Sequence, residues 1–254
     1  MSNISYLAVE AGKIILENGG ETYRVEETIN LICRSYKIKN ADSYVTPTGI
    51  MFSAEDEYGN NLSIIKRIKH RRINLEKVAM VNELSRKVQE KVLSSEEFEN
   101  ELAKISSSKS YSNLAFILSS SLAAFSFTLL FQGNIYDALV SLLIGAMLRI
   151  NMIFSSDYDV NDFFINVIGG IITSLTALIF CSQFNTLSLD KIMIGSIMPL
   201  VPGVALINSI RDTIEGDLVS GLARALEATL VALAIAVGTG IVIKLWAFIF
   251  GGIV

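Results

Sequence analysis

Histidine and cysteine are nearly missing from this chain, and most metal and nucleophile chemistry goes with them. Its 254 residues hold one histidine, His70, and two cysteines, Cys33 and Cys181. One imidazole and two thiols without CxxC spacing do not make a zinc site, so no metal and no cofactor is expected. The two cysteines lie in different regions and read as small buried residues rather than a disulfide. No P-loop, HExxH or GxSxG pattern occurs, so the common nucleotide, metalloprotease and esterase signatures are absent. Positive charge is not in excess either. The formal net charge is −4, and the residues before Ser112 carry 16 Lys/Arg against 16 Asp/Glu. A neutral first part excludes an electrostatic nucleic-acid partner. The opening Met-Ser-Asn-Ile-Ser-Tyr-Leu has no basic n-region and no long apolar core follows, so no secretory signal is expected and the first part is expected to stay in the cytosol.

What the chain has is apolar surface. Hydrophobic residues make up 51% of it and the mean hydropathy is +0.49, high for a soluble domain. Five apolar segments stand out, Asn113–Gln132, Ile135–Phe154, Phe163–Gln183, Lys191–Ser209 and Leu222–Phe250. Each is near the roughly 20 residues that cross a hydrocarbon core. The links Gly133-Asn134 and Ser155–Asp162 are short, the second one acidic with Asp157, Asp159 and Asp162, so neighbouring segments should run antiparallel. The expected fold class is a small cytosolic α+β domain, residues 1–110, followed by an all-α polytopic membrane domain of about five transmembrane helices, residues 111–254. With the N-terminus inside, Lys104, Lys109, Arg149, Arg211 and Arg224 fall toward the cytoplasm and Lys191 and Lys244 toward the outside, as the positive-inside rule favours. Gly145, Gly169, Gly170, Ser174 and the stripe Ala232, Ala236, Gly240 predict close helix contacts. Hydroxyls within the spans either line a path or bond to their own helix.

In the first part, Ile4, Leu7, Ala8, Ala11, Ile14 and Ile15 share one helical face, and Gly19-Gly20 stops that helix. Thr22 reads as the N-cap of a second helix with the stripe Val25, Ile29, Ile32 and Tyr36. The run Tyr44–Phe52, interrupted by Pro47 and Gly49, and the run Leu62–Ile68 suggest a two-stranded hairpin. A third helix follows over about Asn74–Val92, with Leu75, Val78, Val81, Leu84, Val88 and Val92 inward. Ser94-Ser95-Glu96-Glu97 looks like a capping box for a fourth. Arg24, Glu26 and Glu27 form either a salt-bridged helix face or part of a ligand site. His70 sits in the basic run Lys66–Arg72, a solvated turn or a patch that meets anionic lipid headgroups.

The stretch Pro199–Arg224 combines two of the three prolines with charge. Pro199 and Pro202 remove backbone donors inside an apolar run, so the helix should kink or open there. Freed backbone groups at membrane depth persist only where protein or a wet cavity satisfies them, as in the broken helices of transporters. Asn208, Arg211, Asp212, Asp217, Arg224 and Glu227 follow at once. Arg149, at membrane depth, needs a partner such as Glu227 or Asp212, or else snorkels to the interface. An anion would meet half-helix amides near Pro202-Gly203 and a guanidinium from Arg149, Arg211 or Arg224. Asp212, Asp217 and Glu227 are candidates to carry a coupling ion.

Pro199-Leu-Val-Pro202-Gly203, Leu206-Ile207-Asn208, Gly216 and Gly221-Leu-Ala-Arg224 resemble the signature of the threonine/serine exporter family. So do Gly19-Gly20-Glu21-Thr22-Tyr23-Arg24-Val25-Glu26, Val45-Thr-Pro47-Thr-Gly49 and Arg72-Ile-Asn74-Leu75 in the first part. The resemblance implies a multi-pass plasma (inner) membrane protein that exports threonine/serine or a dicarboxylate such as succinate, driven by an ion gradient. A second membrane domain found in single-chain members is missing here, which resembles the split form of the family. The implied partner is a small membrane protein, a second copy of the chain, or both. Pro199, Pro202, Gly203, Asn208, Gly221 and Arg224 carry over by this resemblance. Two other classes stay open: a sensor or assembly subunit without transport of its own, and a membrane-bound hydrolase using a serine, His70 and an acid.

Overall fold

The computed structural model describes residues 2–55, 59–109, 111–156 and 160–252. They form α1 (Ser2–Glu17), α2 (Thr22–Ser35), β1 (Lys39–Thr46), β2 (Gly49–Glu55), β3 (Asn61–Arg67), α3 (Leu75–Glu90) and α4 (Ser95–Ser107). Then come α5 (Asn113–Leu130), α6 (Ile135–Ser156), α7 (Asp162–Gln183), α8 (Leu189–Ile197), a 3-10 turn (Met198–Leu200), α9 (Gly203–Ile214) and α10 (Leu218–Phe250). Two compact units result. The first joins Met1–Ser110 to Gly203–Leu226, and the second joins Tyr111–Pro202 to Glu227–Val254. Asp157 and Asp159 of the expected acidic loop lie outside the described residues.

The first unit is built around α1. Ala8, Val9, Ala11, Ile15 and Leu16 are fully buried, because α1 packs against α2, α3, α4 and the sheet. Its end is closed by Gly19 at φ +90°, with Gly20 N–H donating to the Ile15 carbonyl at 2.9 Å. α2 starts at Thr22 with Glu21, not Thr22, at the cap position. The strands form an antiparallel sheet in the order β1-β2-β3. Thus the run Tyr44–Phe52 is two strands, with Pro47 and Thr48 in the turn between them rather than breaking one strand. Val45, Ile50, Phe52 and Ile64 face the core. Leu75 and Val92 are exposed, so the inward stripe of α3 is shorter than its periodicity suggests. Asn74 caps that helix by accepting from Lys77 N–H at 3.2 Å. The Ser94–Glu97 capping box is complete. Burial pushes the Cys33 thiol up to about 12, so this cysteine is a core residue.

The second unit is helical. Among the described residues, four helices are long and apolar enough to cross a membrane, α5, α6, α7 and α10, or five spans if the bent pair Leu189–Leu200 and Gly203–Ile214 counts as one. Their side chains are apolar yet poorly buried, with Leu118, Leu130, Leu139 and Phe164 all more than half exposed. Such helices need hydrocarbon around them. Asn134 and Asp137 cap α6 reciprocally, each accepting the other's N–H at 2.9 Å, and Asp137 also accepts the Ser188 N–H at 2.8 Å. At Gly145 an added Cβ would stand 2.7 Å from the Ser120 carbonyl, and at Gly170 2.5 Å from the Ile235 carbonyl.

The small-residue stripe of α10 is displaced from the expected one. Ala232, Ala236 and Gly240 are exposed, and the contact face carries Ala234, Ile235 and Gly238. Only Gly238 fits against α7, since a Cβ there would collide with the Val167 carbonyl, whereas nothing lies within 4 Å at Gly240. Gly238→Val is therefore expected to destabilise the second unit by about 1–3 kcal/mol and Gly240→Val to be tolerated. Thermal unfolding of the two purified variants in detergent checks this; equal loss in both would place the contact elsewhere.

Candidate functional site

Gly203–Leu226 folds as a helical hairpin within the first unit. α9 ends with Gly216 at φ +95°, where Asp217 N–H donates to the Asp212 carbonyl at 2.8 Å and Gly216 N–H to the Thr213 carbonyl at 3.2 Å. Asp217 then caps α10, accepting from Ser220 N–H at 3.2 Å. Gly221 lets the helices touch, because a Cβ there would collide with the Thr213 hydroxyl and stand 2.9 Å from the Ser209 carbonyl.

The polarity of this hairpin is inverted. Its buried face carries Asn208, Ser209, Asp212, Ser220 and Arg224, and its outer face Ile207, Ile210, Ile214, Leu218, Leu222 and Leu226. Asp212 is 0% and Arg224 4% exposed, against 77% for Ile214. A helix in water turns its apolar stripe inward. The reverse is stable when hydrocarbon or another protein covers the outer face and protein groups satisfy the inner one.

Those groups come from the α1–α2 corner. Asn208 Nδ2 donates to the Gly19 carbonyl at 2.9 Å, and Arg224 Nη2 to the Gly20 carbonyl at 2.8 Å. Arg224 Nε stands 3.0 Å from Asp212 Oδ2, and Asp212 Oδ1 accepts the Thr22 N–H at 3.2 Å. The carboxylate thus serves both the guanidinium and the N-terminus of α2, where the helix dipole favours an anion. Glu21 is bridged from both sides, by Arg211 at 2.5 Å and by Arg24 at 2.8 Å. Burial alone would raise the Glu21 carboxyl, but the hydrogen bonds from Arg24, its own backbone and Arg211 hold it below the usual carboxylate range. One strand also takes part. Val45 N–H donates to Glu26 Oε1 at 2.8 Å, and the Val45 carbonyl receives the Ser220 hydroxyl at 3.5 Å. The open edge of β1 is closed in this way by α2 and by the start of α10.

Of the residues singled out in the sequence, Asn208, Arg211, Asp212, Asp217 and Arg224 meet in this cluster. Pro199 lies in the 3-10 turn, Pro202 at the break before α9, and Gly203 opens α9 with nothing within 4 Å of the Cβ position. Pro199, Pro202, Arg149 and Glu227 belong to the second unit. There Arg149 lies over the Phe116 ring, 4.3 Å from its centroid, and Asp212 is engaged by Arg224 instead. Glu227 is exposed on α10, and His70 is exposed beyond β3. Gly19, Gly20, Glu21, Thr22 and Ser220 are the additions from structure. Their signal in the sequence is the opposite charge of Glu21, inside one family-like motif, and of Arg211, between two pieces of the other. A cavity of about 460 Å³ between α2 and α3 is lined by Glu27, Asn30, Leu31, Arg34, Ser35 and Gln89, none of them in this cluster. Among the described residues, no group of three or more His, Cys, Asp or Glu side chains is placed to hold a metal ion.

Comparison with known proteins gives this geometry a family. The family model described as "Putative threonine/serine exporter" matches residues 6–246. The chain is 23% identical over 251 residues to a protein of Klebsiella aerogenes named "Probable succinate transporter subunit YjjP", covering 96% of this chain and 94% of that one. No solved structure matches the chain.

Because Asp212 and Arg224 are buried against each other, removing either leaves an uncompensated charge. Asp212→Ala and Arg224→Ala are each expected to destabilise the protein by about 3–5 kcal/mol, with the double variant costing less than the sum. Arg211, 53% exposed on its side chain, is expected to contribute under about 1 kcal/mol to stability. Denaturant unfolding of the four variants measures this, and additive losses at 212 and 224 would show that the pair is not coupled. For Glu21 the sign runs to acid: its contribution is present above the ordinary carboxyl range and lost as pH falls through its lowered pKa. Glu21→Gln should flatten that acid-side loss in a pH series of melting temperatures.

Proposed function

The chain belongs to the threonine/serine exporter family, and from that premise we propose that it is the larger subunit of a plasma-membrane exporter of small carboxylates. In this reading residues 1–110 are a cytosolic α+β domain and residues 111–254 the multi-pass membrane part, with a small membrane protein, a second copy, or both completing the path. The cargo is threonine or serine, or a dicarboxylate such as succinate. The succinate transporter subunit named above supports the dicarboxylate, and the family description supports the hydroxy amino acids.

The observation that carries this reading is the buried Arg224 on the inner face of a hairpin whose outer face is apolar. A buried guanidinium fork matches a carboxylate in both charge and shape. Here its partners, Asp212 and the Gly20 carbonyl, are supplied by the chain. An entering carboxylate exchanges for them, so cargo binding and opening of the α1–α2 corner are one event. Arg211 draws the anion in, and the first turn of α9 at Gly203, beyond the break at Pro199 and Pro202, offers amide dipoles to it. Asn208 positions the corner through Gly19. In the second unit, Arg149 is a separate cation that an anionic cargo can meet. An ion gradient drives export, and acidic side chains, Asp217 and Glu227 among them, handle the coupling ion.

Vesicles loaded with labelled succinate or threonine test this, with and without a co-expressed small membrane protein. The chain with its partner is expected to export under an imposed proton gradient. Arg211→Ala is expected to raise KM with little change in folded protein, and Arg224→Lys, which keeps the charge but loses the fork, to abolish export at normal membrane insertion. Unchanged export by Arg224→Lys removes Arg224 from cargo recognition. Failure of the wild type with both cargoes, alone and with the partner, removes the exporter reading and leaves a sensor or assembly role.

A further inference from the structure

Among the described residues, no cation pairs with the Glu26 carboxylate. It is half-buried on α2 and its contact is the Val45 N–H at 2.8 Å. The neighbouring glutamates differ: Glu21 is bridged by Arg24 and Arg211, and Glu27 is exposed. Carboxylates from three elements act on Glu26, Asp217 at the start of α10, Asp42 on β1 and Asp212 on α9. On the other helices against α2, Glu10 of α1 pairs with Lys13 and with Lys66 of β3, and Glu83 of α3 pairs with Lys87. Asp212 is occupied by Arg224, and Asp217 by capping α10.

We propose that Glu26 binds the proton coupled to transport, taking it up while α2, β1 and the start of α10 are clasped at Val45 and giving it up when the clasp opens. This rests on the exporter reading above and adds to it a proton-binding group that the sequence motifs do not single out as one. The step is a simple protonation: the carboxylate takes one proton from water and returns one, with no other reactant.

The geometry makes the two events one. Val45 N–H is held by Glu26, and the carbonyl of the same residue by Ser220 at the start of α10. In the clasped state burial pushes the Glu26 carboxyl up, the Val45 N–H opposes this, and Asp217, Asp42 and Asp212 add to the rise. Parting the start of α10 from β1 takes Asp217 away and lets water reach Glu26, so the proton leaves. The clasped state is accordingly favoured at pH below the ordinary carboxyl range, and that advantage is lost as pH rises through the raised pKa of Glu26. A proton gradient can then bias the same joint that a carboxylate cargo disturbs at Arg224, since Asp212 and Asp217 belong to both.

Two measurements on the full-length protein in vesicles separate this from the exporter reading. The first needs no transport. The infrared carbonyl stretch of a protonated carboxyl is followed against pH. A band that titrates above the ordinary glutamate range, lost in Glu26→Gln and kept in Glu27→Gln and Asp217→Asn, is the expected result. Loss of that band with Asp217→Asn and not with Glu26→Gln, or no such band at all, overturns the proposal whatever the protein transports. The second compares uphill export driven by a proton gradient with counterflow exchange of labelled succinate at equal pH. Glu26→Gln is expected to keep exchange and to lose gradient-driven export to the level of empty vesicles. Gradient-driven export at the wild-type level in Glu26→Gln would sink the coupling role, while wild-type vesicles inert in both assays would instead count against the exporter reading.

Discussion

A guanidinium and a carboxylate buried together constrain the first unit more than any apolar contact does. Taking each ion out of water costs several kcal/mol, and their mutual attraction offsets this only when the remaining lone pairs and N–H groups are also satisfied. The Gly20 carbonyl and the Thr22 N–H supply part of that support to Arg224 and Asp212, whose Nε and Oδ2 face each other as an ion pair at 3.0 Å. Four helix ends follow from it. α1 must stop at Glu17 and turn through left-handed Gly19 so that its carbonyls face the pair. α2 must begin at Thr22 so that its first amide meets Asp212. α9 must close at Gly216, and Gly221 must let the start of α10 lie close enough to bring Arg224 across. The motif Gly19-Gly20-Glu21-Thr22 and the motif ending at Arg224 are the two halves of one joint.

How much of this the sequence discloses depends on whether the determining contact is local. The face of α1, the stop at Gly19-Gly20 and the Ser94–Glu97 capping box depend on neighbours a few residues away, and each is legible. Pro47 shows the limit of local reading: a proline inside an apolar run fits a broken strand and a turn between two strands equally well. The stripe on α10 fails for another reason. A helix that is apolar all round gives no periodic sign of which face is inward, and only Val167 on α7 selects Gly238 over Gly240. Arg149 is similar, since an aromatic face satisfies a cation without any charge pattern to announce it.

The Gly203–Leu226 hairpin was hardest to read, because the usual rule inverts there. Spacing identifies Ile207, Ile210 and Ile214 as one stripe and Asn208 and Asp212 as another, but the direction each faces depends on the solvent. In water the isoleucines would turn inward. Against hydrocarbon the aspartate does, and then it needs a partner that no spacing rule names. The expected helix break at Pro199 and Pro202 is present as a 3-10 turn and a gap between α8 and α9. Its charged neighbours, however, face the corner between α1 and α2.

On the exporter reading, that destination favours carboxylate cargo over other solutes. A neutral ligand displacing Asp212 from Arg224 would leave two buried ions uncompensated, a loss of several kcal/mol that a small molecule's contacts rarely offset. A carboxylate replaces like with like: the guanidinium keeps an anion, and the net cost reduces to hydrating Asp212 and freeing the Thr22 N–H. Hydration of Asp212 is favourable by itself once the corner opens. Hydrating Asp212 then offsets part of the cost of taking the cargo carboxylate out of water. A tighter internal pair would lock the corner against cargo, and a looser one would leave the arginine buried alone. The Arg224–Asp212 contact at 3.0 Å, shared with a carbonyl and a backbone amide, sits between those failures.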